Sequence, residues 1–343
     1  MNRFEIRPHD ADIYRKELTA WLPDKIFDAH VHVCLSEHIG PISEERFKEN
    51  WALEVGIAQS WEQLASVNQA LFPDQAVYSL AFGAVFREVD IAANNAYVLA
   101  GAAKSSNKAA ALYVTIPEEP ASLVAQALDR GFIGIKPYPE LAPEGSTGPS
   151  IFDFLPHEHL GVLDERAGLL MLHLPRAGRL ADQDNIRELL EINDRYPQIK
   201  IVVAHVGRSF CLPTAQRGLP YFADRPSIYF DTSANLNDEV FEYTISTVGS
   251  DRILYGTDLP ITLMRGVREH VGETYINYTD EPFSWNTNRK PPEVEANYTF
   301  YLYEELRALI RAAQATGIGK DGLKKILWSN AAKLTGGVDA SEA

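Results

Sequence analysis

Eight short apolar runs recur along the chain, separated by longer segments, and they restrict its fold more than any other feature. They are KIFDAHVHV (25–33), VYSLAFGAVF (77–86), AAALYVTI (109–116), GFIGIKPY (131–138), LLMLHLP (169–175), KIVVAHVG (200–207), SIYFDTSA (227–234) and RILYGTDLP (252–260). Their length and their content of Val, Ile, Leu and Phe identify strands. Between them, PASLVAQALDRG and DNIRELLEINDRYP carry helical periodicity and end in a Gly or Pro stop. Strands alternating with helices eight times over favour a closed (β/α)8 TIM barrel over an open sheet. At 343 residues the chain exceeds the usual domain size, yet α/β barrels commonly fill this length alone. One barrel domain over 1–343 is therefore expected, with 1–24 as an N-terminal extension and 299–343 as C-terminal helices.

Composition narrows the partners. The chain is 45% hydrophobic and 23% charged, enough for a large core. With 32 basic and 47 acidic residues its net charge is −15, which argues against unspecific binding to nucleic acid or anionic membrane but says little about a local pocket. Cys34 and Cys211 are too few for a disulfide framework and fit a reducing compartment. The N-terminus has no apolar core run, and no segment reaches the length of a membrane span. The expectation is a cytoplasmic protein acting on a small molecule, with neither nucleic acid nor membrane as partner and with homo-oligomerisation open.

Four connections, 34–76, 139–168, 208–226 and 261–298, are too long for turns, and each follows the C-terminal end of a strand, where barrels build their sites. The last is rich in Asn, Thr, Pro and charge, so it is either disordered or a lid that sets substrate specificity.

Polar residues fall at the ends of these runs. In the first strand, alternation places Asp28, His30 and His32 on one face. Lys136, His173, His205 and Asp258 lie near the ends of the fourth, fifth, sixth and eighth strands. In a closed barrel these side chains converge at one mouth. A lone histidine at a strand end is usually a hydrogen-bonded rim residue; four histidines and an aspartate together point to an ion, because buried polar groups need partners. Such ligands suit zinc, manganese or iron, and three or four of them with an exchangeable position make a catalytic site that lowers the pKa of a water. A histidine left uncoordinated there moves protons near neutral pH. Arg176 and Arg179, just after His173, and Arg208, just after His205, are candidates for holding a substrate carboxylate. Asp28, one layer deeper, is a candidate partner for the histidines. His38, His157, His159 and His270 fall in long loops and stay outside the metal set; PHEHLG marks a helix start.

FDAHVHV, MLHLP, VVAHVGR, ILYGTDLP and ILWSNAAKLTGG, in this order, resemble the amidohydrolase superfamily, and within it the amidohydrolase-related branch of hydrolases and non-oxidative decarboxylases. The resemblance runs from about residue 25 to 337. It implies a barrel with one divalent metal, zinc ahead of manganese, held by His30, His32, His173 and Asp258. It also implies that His205 sits beside the metal, activating water or orienting substrate, and that Asp258 doubles as general base. In binuclear relatives a strand-four lysine is carbamylated and bridges two metals; for Lys136 that role ranks below a substrate-facing or structural ion pair. The implied activity is cleavage of an ester, lactone or amide bond of a small carboxylated substrate by metal-activated water. Metal-dependent decarboxylation of a small aromatic or unsaturated acid uses nearly the same ligands, and a barrel that binds metal or a small molecule without turnover is the third reading. The C-terminal helices are expected to close the barrel or to support an oligomer.

Overall fold

The computed structural model describes residues 4–106, 108–143 and 149–336. Residues 1–3 of the expected extension, 144–148 of the connection 139–168, and 337–343 of the expected C-terminal helices lie outside the described residues. The strands are β1 (Lys25–His32), β2 (Ala76–Phe82), β3 (Ala109–Val114), β4 (Gly134–Lys136), β5 (Leu169–Leu172), β6 (Lys200–Val203), β7 (Ile228–Asp231) and β8 (Ile253–Leu254). They form one parallel eight-stranded sheet in sequence order. The sheet closes into a barrel between its first and last strands: Ala29 donates its N–H to the Tyr255 carbonyl at 2.8 Å, and His32 donates to Leu259 at 2.9 Å.

All eight expected strands are present, but most end sooner than their apolar runs. β5, β6 and β8 stop before His173, His205 and Asp258 respectively. The chain turns out of the sheet there. After β6, His205, Val206 and Arg208 take φ of 57°, 49° and 61°, and beyond β8 Asp258 takes 58°. Left-handed backbone costs roughly 1–3 kcal/mol at a non-glycine residue and clusters where function demands a particular side-chain direction.

The helices follow from local chemistry. Gln183–Arg195 starts where the Asp182 carboxylate accepts the N–H groups of Asp184 and Asn185, and it buries Ile186, Leu189 and Ile192 at helical spacing. Each such side chain contributes roughly 1.5–3 kcal/mol by leaving water. Ala121–Asp129 buries Val124 and Ala127 and stops ahead of Gly131, whose φ of 116° no helix continues. Both match the helical periodicity of the sequence.

At the foot of the barrel the C-terminal segment acts as a plug. Trp328 packs edge-on against Tyr78 at 4.7 Å between ring centres, and the Ile326 carbonyl accepts the Tyr255 N–H at 3.0 Å. Asn330 donates its amide to the Ser250 and Ile253 carbonyls. These contacts seat the C-terminal segment against the barrel. Among the described residues no helix is long and apolar enough to cross a membrane.

At the opposite end the long connections fold. The connection 34–76 forms a 3-10 turn, Ser36–His38, and three α-helices, Glu44–Glu49, Trp51–Val55 and Trp61–Leu71. The connection 261–298 is an ordered flap, built on the antiparallel hairpin β9 (Gly266–Val271) and β10 (Thr274–Thr279). Gly272, with φ of 59°, supplies the turn. Asp10, in the N-terminal extension, pins the base of this flap by accepting both Arg265 Nη groups at 2.6 Å.

Candidate metal centre and active-site cavity

Three imidazoles at the mouth are each held by Nδ1. His30 Nδ1 lies 2.9 Å from Asp231 Oδ2, His32 Nδ1 3.0 Å from the Gly83 carbonyl, and His205 Nδ1 3.0 Å from the Ser233 carbonyl. A carbonyl only accepts, so the ring nitrogen facing it carries the proton and the neutral ring keeps a lone pair on Nε2. Burial lowers the His30 pKa and brings that of His205 down to about 4, so both rings are neutral at pH 7. Yet Asp258 Oδ1 lies 3.3 Å from His32 Nε2 and 3.6 Å from His30 Nε2. Lone pairs facing a carboxylate need a cation, or a further proton, between them.

Close backbone approach makes this meeting possible. A Cβ on Gly256 would lie 2.7 Å from the His30 Cβ, so only glycine lets the chain after β8 pass β1 here. Beside the cluster, the ring of His173 sits 5.3 Å from that of His205, and its Nδ1 is buried with no hydrogen-bond partner among the described residues. The tightest potential ligand group is His30, His205 and Asp258, whose donor atoms all lie within 4.8 Å of one another. It includes the histidine that the sequence places beside the ion, and it lacks His32 and His173. All five side chains nevertheless line one cavity of about 530 Å³ at the barrel mouth. Its far wall comes from the flap, through Arg268, Tyr275, Asn277 and Trp285.

A profile of the amidohydrolase family matches residues 27–336. The chain belongs to the amidohydrolase family. It is thus an enzyme. Similar solved structures include a zinc-bound amidohydrolase from Burkholderia multivorans, with a TM-score of 0.59, 12% identity and coverage of 91% of this chain and 99% of that one. A probable 2-pyrone-4,6-dicarboxylic acid hydrolase from Acinetobacter baumannii has a TM-score of 0.56, 15% identity and the same coverage, 91% and 99%. The 5-carboxyvanillate decarboxylase from Novosphingobium aromaticivorans, complexed with manganese, has a TM-score of 0.55 and 14% identity over 90% of this chain and 95% of that one. At such identities the likeness is one of fold. A search of curated protein sequences gives no match.

The remaining expected residues of this amidohydrolase fall in different places. Arg208 lines the cavity, with Nη1 donating to the Leu174 carbonyl at 3.1 Å. Arg176 does not line it: its guanidinium meets Glu188 at 2.7 and 2.9 Å in a two-pronged ion pair. The position just after His173 looked well placed, but Glu188, on the following helix, draws the arginine sideways. Lys136 is fully buried, its ammonium 5.0 Å from the Phe82 ring centre and without a hydrogen-bond partner among the described residues. Burial pulls it down to about 8, against the attraction of Asp231 and Asp258. Asp28 touches no imidazole; it accepts the backbone N–H groups of His30 at 3.1 Å and Thr257 at 2.8 Å, joining β1 to the chain after β8. His159 Nε2 lies 2.8 Å from the Glu119 carbonyl and His157 Nδ1 2.9 Å from the Tyr196 hydroxyl, both on the helix His157–Glu165, outside the cavity.

Asp231 and Arg268 have no place in the sequence-derived set. Asp231 ends an apolar run just as His173 and Asp258 do, and that pattern was available in SIYFDTSA. The hairpin had a signal too, a Gly-Glu pair between the β-prone runs GVREHV and TYINYT.

Proposed function

We propose that this chain is a metal-dependent hydrolase of a small carboxylated molecule bearing an ester, lactone or amide bond. The observation that carries the reading is the set of Nδ1-anchored imidazoles presenting lone pairs to the Asp258 carboxylate, an arrangement that suits a divalent cation. His30, His32, His173 and Asp258 would hold it, with His205 at its edge. The buried, unpartnered His173 Nδ1 favours His173 as a ligand. Zinc is the first choice, as a borderline cation that accepts nitrogen and carboxylate oxygen together, and manganese, a harder cation that favours oxygen, the second. When bound, the cation supplies Lewis acidity and lowers the pKa of a water.

The protein's own groups do the rest. Asp258 accepts the proton of the attacking water, and its backbone is fixed by donating N–H to the His30 carbonyl at 2.8 Å. Neutral His205 takes and returns a proton at Nε2, its orientation set by Ser233. Arg208 holds a substrate carboxylate. Trp51 and Trp285, ring centres 5.5 Å apart at the mouth, bring two long connections together and limit water. The buried free thiols of Cys34 and Cys211 support a reducing, cytoplasmic setting.

Decarboxylation is the second reading, favoured by the presence of a decarboxylase among the similar structures and by the same ring of ligands. The test is to measure metal content, then to offer lactones, amides and hydroxybenzoates while following acid release and carbon dioxide. Acid release without carbon dioxide is expected. Carbon dioxide without hydrolysis installs the second reading, and protein without metal or turnover ends both.

A further inference from the structure

The flap brings an unusual arginine into the cavity. Arg268, on β9, stands opposite Asn277 on β10, so both point to the flap's inner face, which Tyr275 shares. Its guanidinium carbon lies 4.5 Å from the Phe210 ring centre, 4.7 Å from that of Tyr275 and 5.8 Å from that of Tyr301. Aromatic faces stabilise a cation without neutralising it. Nε donates to Asn277 Oδ1 at 2.9 Å and Nη1 to the Ala234 carbonyl at 2.8 Å. A guanidinium has five N–H donors, so donors remain free beyond these neutral acceptors. No carboxylate pairs with Arg268 among the described residues.

Nor does it stand alone. Arg179 stacks on the same two rings, 5.4 Å from Phe210 and 5.3 Å from Tyr275, and Arg208 lines the cavity on the side of His173. Neither pairs with a carboxylate among the described residues. In a chain of net charge −15, three neighbouring guanidinium groups lacking an acidic partner call for an outside anion. Most other arginines near the mouth are neutralised: Arg46 by Glu88, Arg176 by Glu188, Arg265 by Asp10.

We infer that Arg268, backed by Arg179, forms a second anion subsite on the flap, so that the preferred substrate carries an anionic group remote from the end that reacts. This rests on the proposed function for the reacting end only. Asn277 and the Ala234 carbonyl aim the guanidinium edge, the aromatic rings hold its plane, and Arg208 remains free for the carboxylate nearer the histidines.

The test uses isophthalate and benzoate, rigid probes with two carboxylates and one, titrated calorimetrically into the full chain with zinc content recorded for each sample. Wild type should prefer isophthalate by about tenfold or more, as a charge-assisted pair in a desolvated site allows. Arg268→Met should bring the ratio near unity while zinc content and benzoate affinity stay unchanged. Arg268→Lys, which keeps the charge and the fold but not the two-pronged geometry, should retain only part of the preference. An isophthalate preference absent from wild type, or intact in both variants, overturns the subsite, as does binding of neither probe. Failure to take up zinc counts against the metal reading alone, because an isophthalate preference that vanishes in Arg268→Met still supports the subsite.

Discussion

Asp231 Oδ2 lies 2.9 Å from His30 Nδ1, so an acid at the end of β7 orients the imidazole offered by β1. Its other oxygen accepts the backbone N–H of His205 at 2.9 Å and that of Ser233 at 3.1 Å, tying three strand ends to one carboxylate. Its pKa is depressed: burial pushes it up, and the His30 and His205 rings together with the hydrogen bonds from His30 and Ser233 more than offset that. Asp231→Asn keeps the volume but weakens the hold on His30. Metal affinity should fall roughly 10–100-fold, the usual cost of losing such a partner, with little change in far-UV circular dichroism. Competition against a chelator measures it, and an unchanged affinity would show that Asp231 is merely a core carboxylate.

His173 and His205 separate the two views of the ligand set. His173→Ala should lose metal and activity together. His205→Ala should retain most of the metal and lose turnover by about 100-fold or more, the typical worth of a general acid–base group. Elemental analysis beside activity decides. Metal loss in His205→Ala with retention in His173→Ala would instead select the compact group of His30, His205 and Asp258.

Lys136 offers a buried amine with a pKa near 8, which is a chemical precondition for carbamylation as well as for a plain cationic role. Its Nζ lies over Phe82 and, at 5.6 Å, over Tyr138, in apolar company. One ion per chain is expected with or without added bicarbonate. A second ion that appears with bicarbonate and disappears in Lys136→Met would establish the bridging carbamate.

Arg176 should matter to stability and not to substrate. Glu188 is almost fully buried and also accepts from the Ile151 N–H at 2.8 Å and the Ser150 hydroxyl at 3.0 Å. Arg176→Met leaves that carboxylate without its cation, for a loss of roughly 3 kcal/mol in denaturant unfolding and no change in substrate affinity. Although burial raises the Glu188 pKa, the Arg176 pair, with the Ile151 N–H and the Ser150 hydroxyl, brings it below its ordinary value. A depressed carboxylate stabilises fully above its unfolded pKa of about 4.3 and loses that contribution as pH falls through the folded value. The gap between wild type and variant should therefore be constant near neutrality and close in acid. A gap that widens below pH 4 would contradict the pairing.

Much of this protein was written in local pattern. The eight apolar runs fixed eight strands, because burial and β-propensity act on a few consecutive residues, and the polar residues ending KIFDAHVHV, LLMLHLP, KIVVAHVG and RILYGTDLP marked the mouth they share. The sequence-derived set overlooked Asp231, although it ends a run of the same kind, since an acid at a strand end declares no partner until β7 stands near β1 across the mouth. Tertiary structure alone decided which arginines are neutralised. Arg176 and Arg208 each follow a strand-end histidine closely, yet one meets Glu188 and the other faces the cavity. It also turned a polar connection into a flap that carries Arg268 inward, because hairpin register and the aromatic rings of distant segments set that direction. Charge pairing and cavity shape depend on what other elements bring within a few ångströms, and spacing along the chain does not contain that distance.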